Sequence, residues 1–194
     1  MMNNTIRTAT PADEPVIINT IILAFAMDPM VRWTWPDPSL YLANMPELIH
    51  AFGGGAFVQR SAHITHDQRG AALWLPPDTH PDEEKLGLLI ESTVAGPQQQ
   101  EVFMVLEQMG DFRPDVPHWY LPLIAVDPTH HGKGHGSSLM KHALEQCDKD
   151  GCQAYLESSN PRNISLYQRH GFEALGEIQC GSSPTMIPML RLPH

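Results

Sequence analysis

The stretch that decides the fold is VDPTHHGKGHG, residues 126–136. A nearly continuous apolar run over residues 119–126 leads into it and is typical of a central strand covered on both faces. After the loop comes an amphipathic helix that carries on one face Met140, Ala143, Leu144 and Cys147. Glycines between a strand and a helix let the backbone approach a ligand and direct several N–H groups at one point, and the helix adds its positive end. This arrangement predicts a loop that binds phosphate groups.

The loop matches neither of two common phosphate-binding patterns. A P-loop requires a Gly, four residues and then Gly-Lys followed by Ser or Thr, which the chain lacks. A dinucleotide fingerprint requires a further glycine three residues after Gly134, where Ser137 stands, and a first-strand context that is absent. Read alone, the glycine pattern is equally compatible with a tight turn.

Residues 126–136 resemble the acetyl-CoA pyrophosphate loop of the GNAT superfamily of acetyltransferases. The pattern of that family is Gln or Arg, two residues, Gly, one residue, and then Gly or Ala. His131 stands at the Gln/Arg position, and Gly134 and Gly136 match the glycines. His131 departs from the pattern, which has Gln or Arg at this position. Unlike arginine, a histidine carries full charge only at lower pH.

A second segment further along the chain resembles the later part of the same family, where an Asn and a Tyr on a short helix flank the CoA thiol. It consists of Asn160-Pro161-Arg162-Asn163, Tyr167 and Arg169-His170-Gly171-Phe172. The two segments have the order and separation of the family, and the resemblance extends over residues 119–175. Within the family, residues 156–163 together with residues 74–77 resemble the puromycin N-acetyltransferase branch.

The resemblance implies a mixed α/β fold with a central, mostly antiparallel sheet of about six or seven strands, a splayed parallel pair and flanking helices. We expect one domain over residues 1–194, with acceptor-side helices at about 10–53 and an acetyl-CoA-binding core at about 119–175. Periodicity predicts strands at 6–8, 57–65, 71–75, 154–157, 172–178 and 186–192, and helices from Thr10, from Ser39 to Gly53, and at 82–92, 98–109 and 160–170. The β-branched run at 16–18 leaves a strand as the alternative to the first helix.

The resemblance also implies transfer of an acetyl group from acetyl-CoA to an amine, and it assigns the residues that bind the cosubstrate. In the family, the backbone of the central strand pairs with the pantetheine arm, the glycine loop holds the pyrophosphate, and the later segment contacts the arm and the thiol. The corresponding positions here are Ala125, Val126, His131, Gly132, Lys133, Gly134, His135, Gly136, Ser137, Asn160, Asn163 and Tyr167.

Two side chains are candidates for moving protons. Tyr167 is expected to protonate the leaving thiolate, since a phenol keeps its proton at neutral pH; the alternative is a core tyrosine that faces the sheet. Glu157 is the candidate base, acting through a water, and the alternatives are a surface carboxylate and an amine that arrives already deprotonated.

An aromatic stretch between the first two helices predicts the acceptor pocket, formed by Phe25, Asp28, Trp33 and Trp35. The carboxylate of Asp28 is expected to hold a cationic amine, and the tryptophans an aromatic or aliphatic body. The alternative is a hydrophobic plug under a loop. The leading interpretation is a small-molecule amine N-acetyltransferase, against a protein N-terminal or lysine acetyltransferase and a non-catalytic acyl-CoA-binding sensor.

The composition limits the kinds of binding partner and the cellular location that we expect. The 194 residues include 12 Lys and Arg against 22 Asp and Glu, and the formal net charge of −10 speaks against nucleic acid or an anionic membrane as partner. The longest apolar stretch, residues 16–26, is too short to span a bilayer, and residues 1–8 lack a signal-peptide pattern, so we expect a cytoplasmic protein. A homodimer is left open.

Metal and disulfide chemistry are not expected. The three cysteines form no CxxC pair and are interpreted as free thiols. His130, His131 and His135 are clustered, but no HExxH pattern, Cys pair or carboxylate at ligand spacing accompanies them, so no metal is predicted.

Overall fold

A mixed sheet of seven strands, in the order β1-β2-β3-β4-β5-β7-β6, forms the centre of the computed structural model, which describes residues 5–194. Neighbouring strands are antiparallel except for β4 and β5, which are parallel. This confirms the expected fold class. The strands are β1 Ile6–Thr8, β2 Ala62–Thr65, β3 Gly70–Leu75, β4 His118–Val126, β5 Gln153–Ser158, β6 Glu173–Ala174 and β7 Ile187–Arg191.

Helices cover both faces of the sheet. One face packs against α1, α3, α5 and α6, and the other against α7 and α8. The segment with the β-branched run forms a helix, as periodicity predicts. The helices are α1 Glu14–Phe25, α2 Pro29–Thr34, α3 Pro38–Gly53, α4 Gly55–Val58, α5 Glu83–Thr93, α6 Pro97–Phe112, α7 His135–Asp150 and α8 Ile164–Arg169.

Strands β4 and β5 pair over only part of their length. Their register runs from His118 opposite Gln153 to Tyr120 opposite Tyr155 and then stops. Beyond that point β4 continues against β3, and β5 continues against β7. The two strands therefore diverge and leave a gap in the middle of the sheet, which is the splayed parallel pair expected from the sequence.

A β-bulge in β4 coincides with the start of this gap. Leu75 lies opposite Tyr120 and Leu73 lies opposite Leu123, so two residues of β4, Leu121 and Pro122, face a single residue of β3. A bulge bends the strand and re-aims its side chains, and proline is tolerated there because it has no N–H to pair. The apolar run predicts a regular strand here, although Pro122 is a signal against it.

Two predicted strands differ from the structure. Residues 57–65 form the end of α4, a turn with Arg60 at φ +56°, and a strand of only four residues, Ala62–Thr65. The predicted strand 172–178 is a strand only at Glu173–Ala174; beyond it the N–H of Leu175 still donates to the carbonyl of Pro188, and Ile178 bridges to Met186. Between these, Gly176 lies so close to Phe112 that a Cβ would approach its ring to 2.9 Å, so contact with α6 draws the chain away from the sheet.

Helix α3 ends at Gly53, as the sequence predicts, and this glycine also has a packing role. The next helix, α4, begins at Gly55, so the chain remains helical. A Cβ on Gly53 would lie 2.8 Å from Leu73 Cδ1, which means that the glycine allows α3 to pack directly on β3. The sequence analysis also missed α2, although Asp28-Pro29 is a cap followed by a proline in the first turn.

In the part of the chain that the structure describes, no helix is long and apolar enough to cross a membrane. Of the N-terminal segment 1–8 considered for a targeting signal, residues 1–4 lie outside the described residues.

One buried ion pair fastens the C-terminal strand to α7. The guanidinium of Arg191, which is 5% exposed, donates to both carboxylate oxygens of Asp148 at 2.7 and 2.8 Å. Its Nε also donates to the carbonyl of His170 at 3.0 Å. The pairing lowers the pKa of Asp148.

We expect Arg191→Met to reduce the free energy of unfolding by about 3 kcal/mol, since it leaves a partly buried carboxylate without its partner. Urea denaturation at neutral pH measures the change. The difference in free energy of unfolding between wild type and variant becomes smaller in acid. The reason is that the stability from a lowered carboxylate pKa is lost as the pH falls through that pKa. The control is Lys85→Met, which breaks the exposed pair with Asp82 and is expected to leave the free energy of unfolding almost unchanged, because solvent screens such a pair. An equal loss in both variants contradicts the prediction.

Candidate active site

The gap between β4 and β5 opens into a cleft of about 380 Å³. The glycine loop forms one wall, the ends of α1 and β4 form the floor, and α8 closes the far side. Lys133 is the one predicted cosubstrate residue that does not line the cleft, and its Nζ lies 3.4 Å from the carbonyl oxygen of Thr129. The predicted residues that do line it are Ala125, Val126, His131, Gly132, Gly134, His135, Gly136, Ser137, Asn160, Asn163 and Tyr167.

The loop has the geometry of an anion site. Gly132 and Gly134 have φ of +76° and +87°, a region that side chains other than glycine rarely adopt. The first bond of α7 runs from the N–H of Ser138 to the carbonyl of Gly134, so the preceding N–H groups have no partner within the helix. A Cβ built on Gly132 has no atom within 4 Å, which leaves room for a ligand against the backbone. These features fit the pyrophosphate of an acetyl-CoA molecule.

His131 is turned back onto the strand that precedes the loop. Its Nε2 lies 3.1 Å from the carbonyl oxygen of Val126, and because a carbonyl only accepts, this nitrogen carries the proton. The imidazole therefore ties the loop to the end of β4. His135 is 2% exposed and lies with Nε2 3.7 Å from a carboxylate oxygen of Asp67.

Tyr167 lies at the cleft between α8 and the sheet. It is 4% exposed and packs edge-on against Phe172. Burial, and secondarily the charge of Asp28, raise the pKa of Tyr167 above its usual value. The phenol therefore holds its proton across the neutral range, as a proton donor must.

Arg169 is a residue of this cleft that the sequence analysis did not assign to the site. It follows Tyr167 by two positions at the end of α8 and adds a positive charge to the lining. The sequence feature that could have identified Arg169 is its basic side chain within the second segment that resembles the family. Asn160 caps the turn before α8 by accepting from the N–H of Arg162 at 3.1 Å.

On the other side of the gap is an apolar pocket of about 120 Å³ enclosed by α2, α3, α5 and α6. Three of the four predicted acceptor residues line it, namely Phe25, Trp33 and Trp35. Phe25 lines the cleft as well, so the two spaces meet at this ring. The remaining apolar lining is Met30, Val31, Leu48, Phe52, Leu86, Ile90, Val102, Val105, Leu106, Met109, Pro122, Leu123 and Met186.

The structure does not bring Asp28 into this pocket. It lines the cleft instead and is 5% exposed. Its Oδ1 accepts from the N–H groups of Met30 and Val31 at 3.1 and 3.2 Å, and its Oδ2 accepts from the hydroxyl of Ser159 at 2.6 Å. The carboxylate is thus committed to capping α2 and to Ser159, which leaves no place for the cationic amine that we expected it to hold.

Glu157 supplies the carboxylate of the pocket. It alternates with the apolar residues of β5 and lies on the same face as Tyr155, towards α5 and α6. The hydroxyl of Tyr120 donates to its Oε2 at 2.8 Å. Its Oε1 is shielded from solvent and makes no hydrogen bond of ordinary geometry with any residue from 5 to 194.

Burial raises the pKa of Glu157 to about 7, even though the hydroxyls of Tyr120 and Tyr155 and the charge of Arg113 act in the opposite direction. The guanidinium of Arg113 lies over the ring of Tyr120, 5.0 Å from its centre. A carboxyl group with this pKa accepts and releases a proton near neutral pH, which is the property that a general base requires.

Comparison with known proteins matches part of the chain to a family. A model of the acetyltransferase (GNAT) family matches residues 77–172, the stretch that contains β4, the glycine loop, β5 and Tyr167. Over this stretch, just under half of its length, the chain matches the GNAT superfamily. Members of this superfamily are acyltransferases that use acetyl-CoA as cosubstrate.

Relatives of this chain are acetyltransferases by name. An uncharacterized N-acetyltransferase of Schizosaccharomyces pombe is 29% identical over 118 residues, 55% of this chain and 48% of that protein. An acetyltransferase of Agrobacterium fabrum is 33% identical over 72 residues, 37% of this chain and 53% of that protein. The chain thus spans about half the length of the curated relatives it matches.

A solved structure from Corynebacterium glutamicum, described as histone acetyltransferase HPA2 and related acetyltransferase, has the same architecture. It superposes with a TM-score of 0.70 at 28% identity and covers 98% of this chain and 96% of its own. Within residues 5–194, no three His, Cys, Asp or Glu side chains are grouped so that they could hold a metal ion.

We expect Tyr120→Phe to raise the pKa of Glu157 above its value of about 7, because the variant removes a hydrogen bond that favours the charged carboxylate. Titration of ¹³C-labelled glutamate carboxyls by NMR measures the midpoint. The control is Tyr41→Phe, whose hydroxyl donates to the carbonyl of Ile22 and does not contact Glu157. A midpoint that stays in place or moves down in Tyr120→Phe would mean that the tyrosine does not stabilise the carboxylate.

Proposed function

We propose that this protein is an acetyl-CoA-dependent N-acetyltransferase that acts on the amine of a small molecule. The observation that carries the proposal is the buried carboxylate of Glu157, which has a raised pKa and lines an apolar pocket that meets the cosubstrate cleft at the strand gap. A buried carboxylate is costly to keep charged, and a cationic amine supplies both a donor and an opposite charge for it.

The cleft is proposed to hold acetyl-CoA, which supplies the acetyl group as a thioester. The N–H groups of the glycine loop and the positive end of α7 would bind the pyrophosphate, and Arg169 would add a positive charge. The backbone of Ala125 and Val126 lies along the edge of β4 that the gap exposes, where an extended pantetheine arm would pair with it.

The chain supplies a group for each proton that moves. Glu157 accepts a proton from the amine, which frees the nitrogen lone pair to form the new C–N bond. As the C–S bond breaks, Tyr167 donates its phenolic proton to the departing sulfur. Glu157 releases this first proton to solvent and then accepts the second proton, which the nitrogen loses as the amide forms. An equivalent proton returns to Tyr167 by way of solvent, so a primary ammonium and a thioester give an amide, a free thiol and one proton, and both side chains return to their starting states.

The shape of the acceptor pocket favours a small molecule over a protein. It is closed by side chains of four helices and has a volume somewhat below the ~150 Å³ of an apolar cavity known to bind benzene. The second candidate, a protein N-terminal or lysine acetyltransferase, draws on the description of the Corynebacterium structure. A lysine side chain is long enough to enter such a pocket, so the assay includes peptides.

Several finer expectations stay predictions. Placement in the puromycin N-acetyltransferase branch agrees with a small acceptor but rests on the sequence resemblance alone. The cytoplasmic location, the lack of nucleic acid, membrane and metal partners, and homodimer formation are untested.

The proposed function is tested by incubating the protein with acetyl-CoA and a panel of primary amines and lysine peptides while free thiol is followed. We expect thiol release with small apolar amines, and we expect Tyr167→Phe to lower kcat by about 10²–10⁴-fold, the range of general acid catalysis, with little change in CoA affinity. Joint loss of CoA binding and melting temperature in Tyr167→Phe would indicate a packing role. Binding of CoA without thiol release for any acceptor would favour the acyl-CoA sensor.

We expect Gly134→Val to weaken CoA binding by at least about tenfold, because a β-branched residue cannot hold a φ of +87° without strain and would displace the loop N–H groups. Calorimetric titration of CoA measures the loss. Gly87→Ala is the control, since this glycine lies within α5 and a Cβ there meets nothing within 4 Å. Unchanged affinity in a folded Gly134→Val variant would remove the loop from the cosubstrate site.

A further inference from the structure

A single hydrogen bond forms part of the partition between the acceptor pocket and the cosubstrate cleft. Ser159 lines the pocket, Asp28 lines the cleft, and the Ser159 hydroxyl donates to Oδ2 of Asp28 at 2.6 Å. The two residues are 131 positions apart in the chain, so neither has a local reason to meet the other. No step in the reaction described above uses this pair.

The hydrogen bond to Asp28 fixes the direction in which the Ser159 hydroxyl donates. A serine hydroxyl has one hydrogen and two lone pairs, and its hydrogen is given to the Asp28 carboxylate. Asp28 is itself held in place, since its other oxygen caps α2 through the N–H groups of Met30 and Val31. The Ser159 oxygen is therefore left to act as an acceptor.

Ser159 and Glu157 lie on the same side of the chain. Glu157 is the second-last residue of β5, which ends at Ser158, and Ser159 follows directly after the strand. Both line the acceptor pocket. The residue between them, Ser158, is buried and donates to the backbone carbonyl of Asn160. The pocket thus has two side-chain acceptors close together, Glu157 and Ser159. Its lining is otherwise mostly apolar, and the hydroxyl of Thr34, which also lines it, donates to the carbonyl of Met30 within α2.

We propose that Ser159 is a specificity-determining residue, and Asp28 its positioning residue, for acceptors with a primary amine on an apolar body no larger than about one six-membered ring. The inference rests on the proposed function and names its substrate class. A primary ammonium has three N–H groups, of which one meets Glu157 and a second meets Ser159. When Glu157 takes its proton, Ser159 still holds the nitrogen and aims its lone pair at the gap.

The pairing of two acceptors with two donors distinguishes amines by their number of N–H groups. A tertiary ammonium has one N–H and leaves one of the two oxygens without a donor. A hydrogen bond to a charged group contributes enough for about a tenfold or greater difference in affinity. Benzylamine and N,N-dimethylbenzylamine are suitable probes, because both carry one ring and differ in the number of N–H groups.

The test measures binding, not turnover. Each probe is titrated calorimetrically into protein saturated with CoA, which carries no acetyl group to transfer. We expect wild type to prefer benzylamine by about tenfold or more, and Ser159→Ala to reduce the preference to within about twofold. Ser159→Thr keeps a hydroxyl and restores the preference. Ser92→Ala is the matched control, since its hydroxyl bonds only carbonyls of its own helix α5.

The variant Asp28→Asn separates the role of Asp28 in orienting the Ser159 hydroxyl from its role in capping α2. Asparagine keeps an oxygen that caps α2, but its NH₂ group donates to the Ser159 oxygen and turns the hydroxyl hydrogen away from residue 28. We expect about a tenfold loss of benzylamine affinity with an unchanged melting temperature. The CoA affinity of this variant is measured in parallel, because Asp28 lines the cleft.

The outcomes separate this inference from the proposed function. A full preference for benzylamine in Ser159→Ala, or the same affinity of wild type for both probes, overturns the inference even when acetyl transfer is observed. Failure of wild type to bind either probe also overturns it. A preference that depends on Ser159, in a protein that releases no thiol from acetyl-CoA with any amine, supports the assigned site and instead refutes the enzymatic function.

Discussion

The divergence of β4 from β5 is the constraint on which the rest of the structure depends. The strands pair as far as Tyr120 and Tyr155, and the bulge at Leu121 and Pro122 then re-aims β4. A continuous sheet at this point would place a wall of backbone between the two helical layers. The divergence instead leaves unpaired backbone along β4 and joins the cleft to the acceptor pocket at Phe25.

The gap also lets groups from opposite faces of the sheet act on one reaction. Tyr167 is packed in the core on the side of α7, whereas Glu157 lies with the helices α5 and α6 on the other side. The proposed acid and base therefore belong to different hydrophobic layers and reach a common space only where the strands separate. Each is held by its own layer, which keeps both side chains fixed.

The charge environment of each site in this acidic chain is set by nearby groups and not by the net charge. An anionic cosubstrate would meet backbone N–H groups, the start of α7 and Arg169, so the net charge of −10 does not prevent its binding. Burial raises the pKa of both Glu157 and Asp28. The carboxylate of Asp28 accepts from three donors that hold α2 and Ser159 in place, whereas that of Glu157 accepts from tyrosine hydroxyls and lines the acceptor pocket. We therefore assign Asp28 to structure and Glu157 to chemistry.

The sequence by itself determined the features that are encoded within short stretches. The buried strand before a glycine loop, the amphipathic helix after it, and the positions of Tyr167 and Glu157 follow from local pattern and resemblance, and the sheet and its splayed pair were expected from them. Only the tertiary structure decided the Pro122 bulge, the close packing of Gly53 on β3, and the partners of Asp28 and Glu157. The reason is that a hydrogen bond such as Ser159 to Asp28 joins residues 131 positions apart, and no periodicity in the chain records which distant side chains will meet.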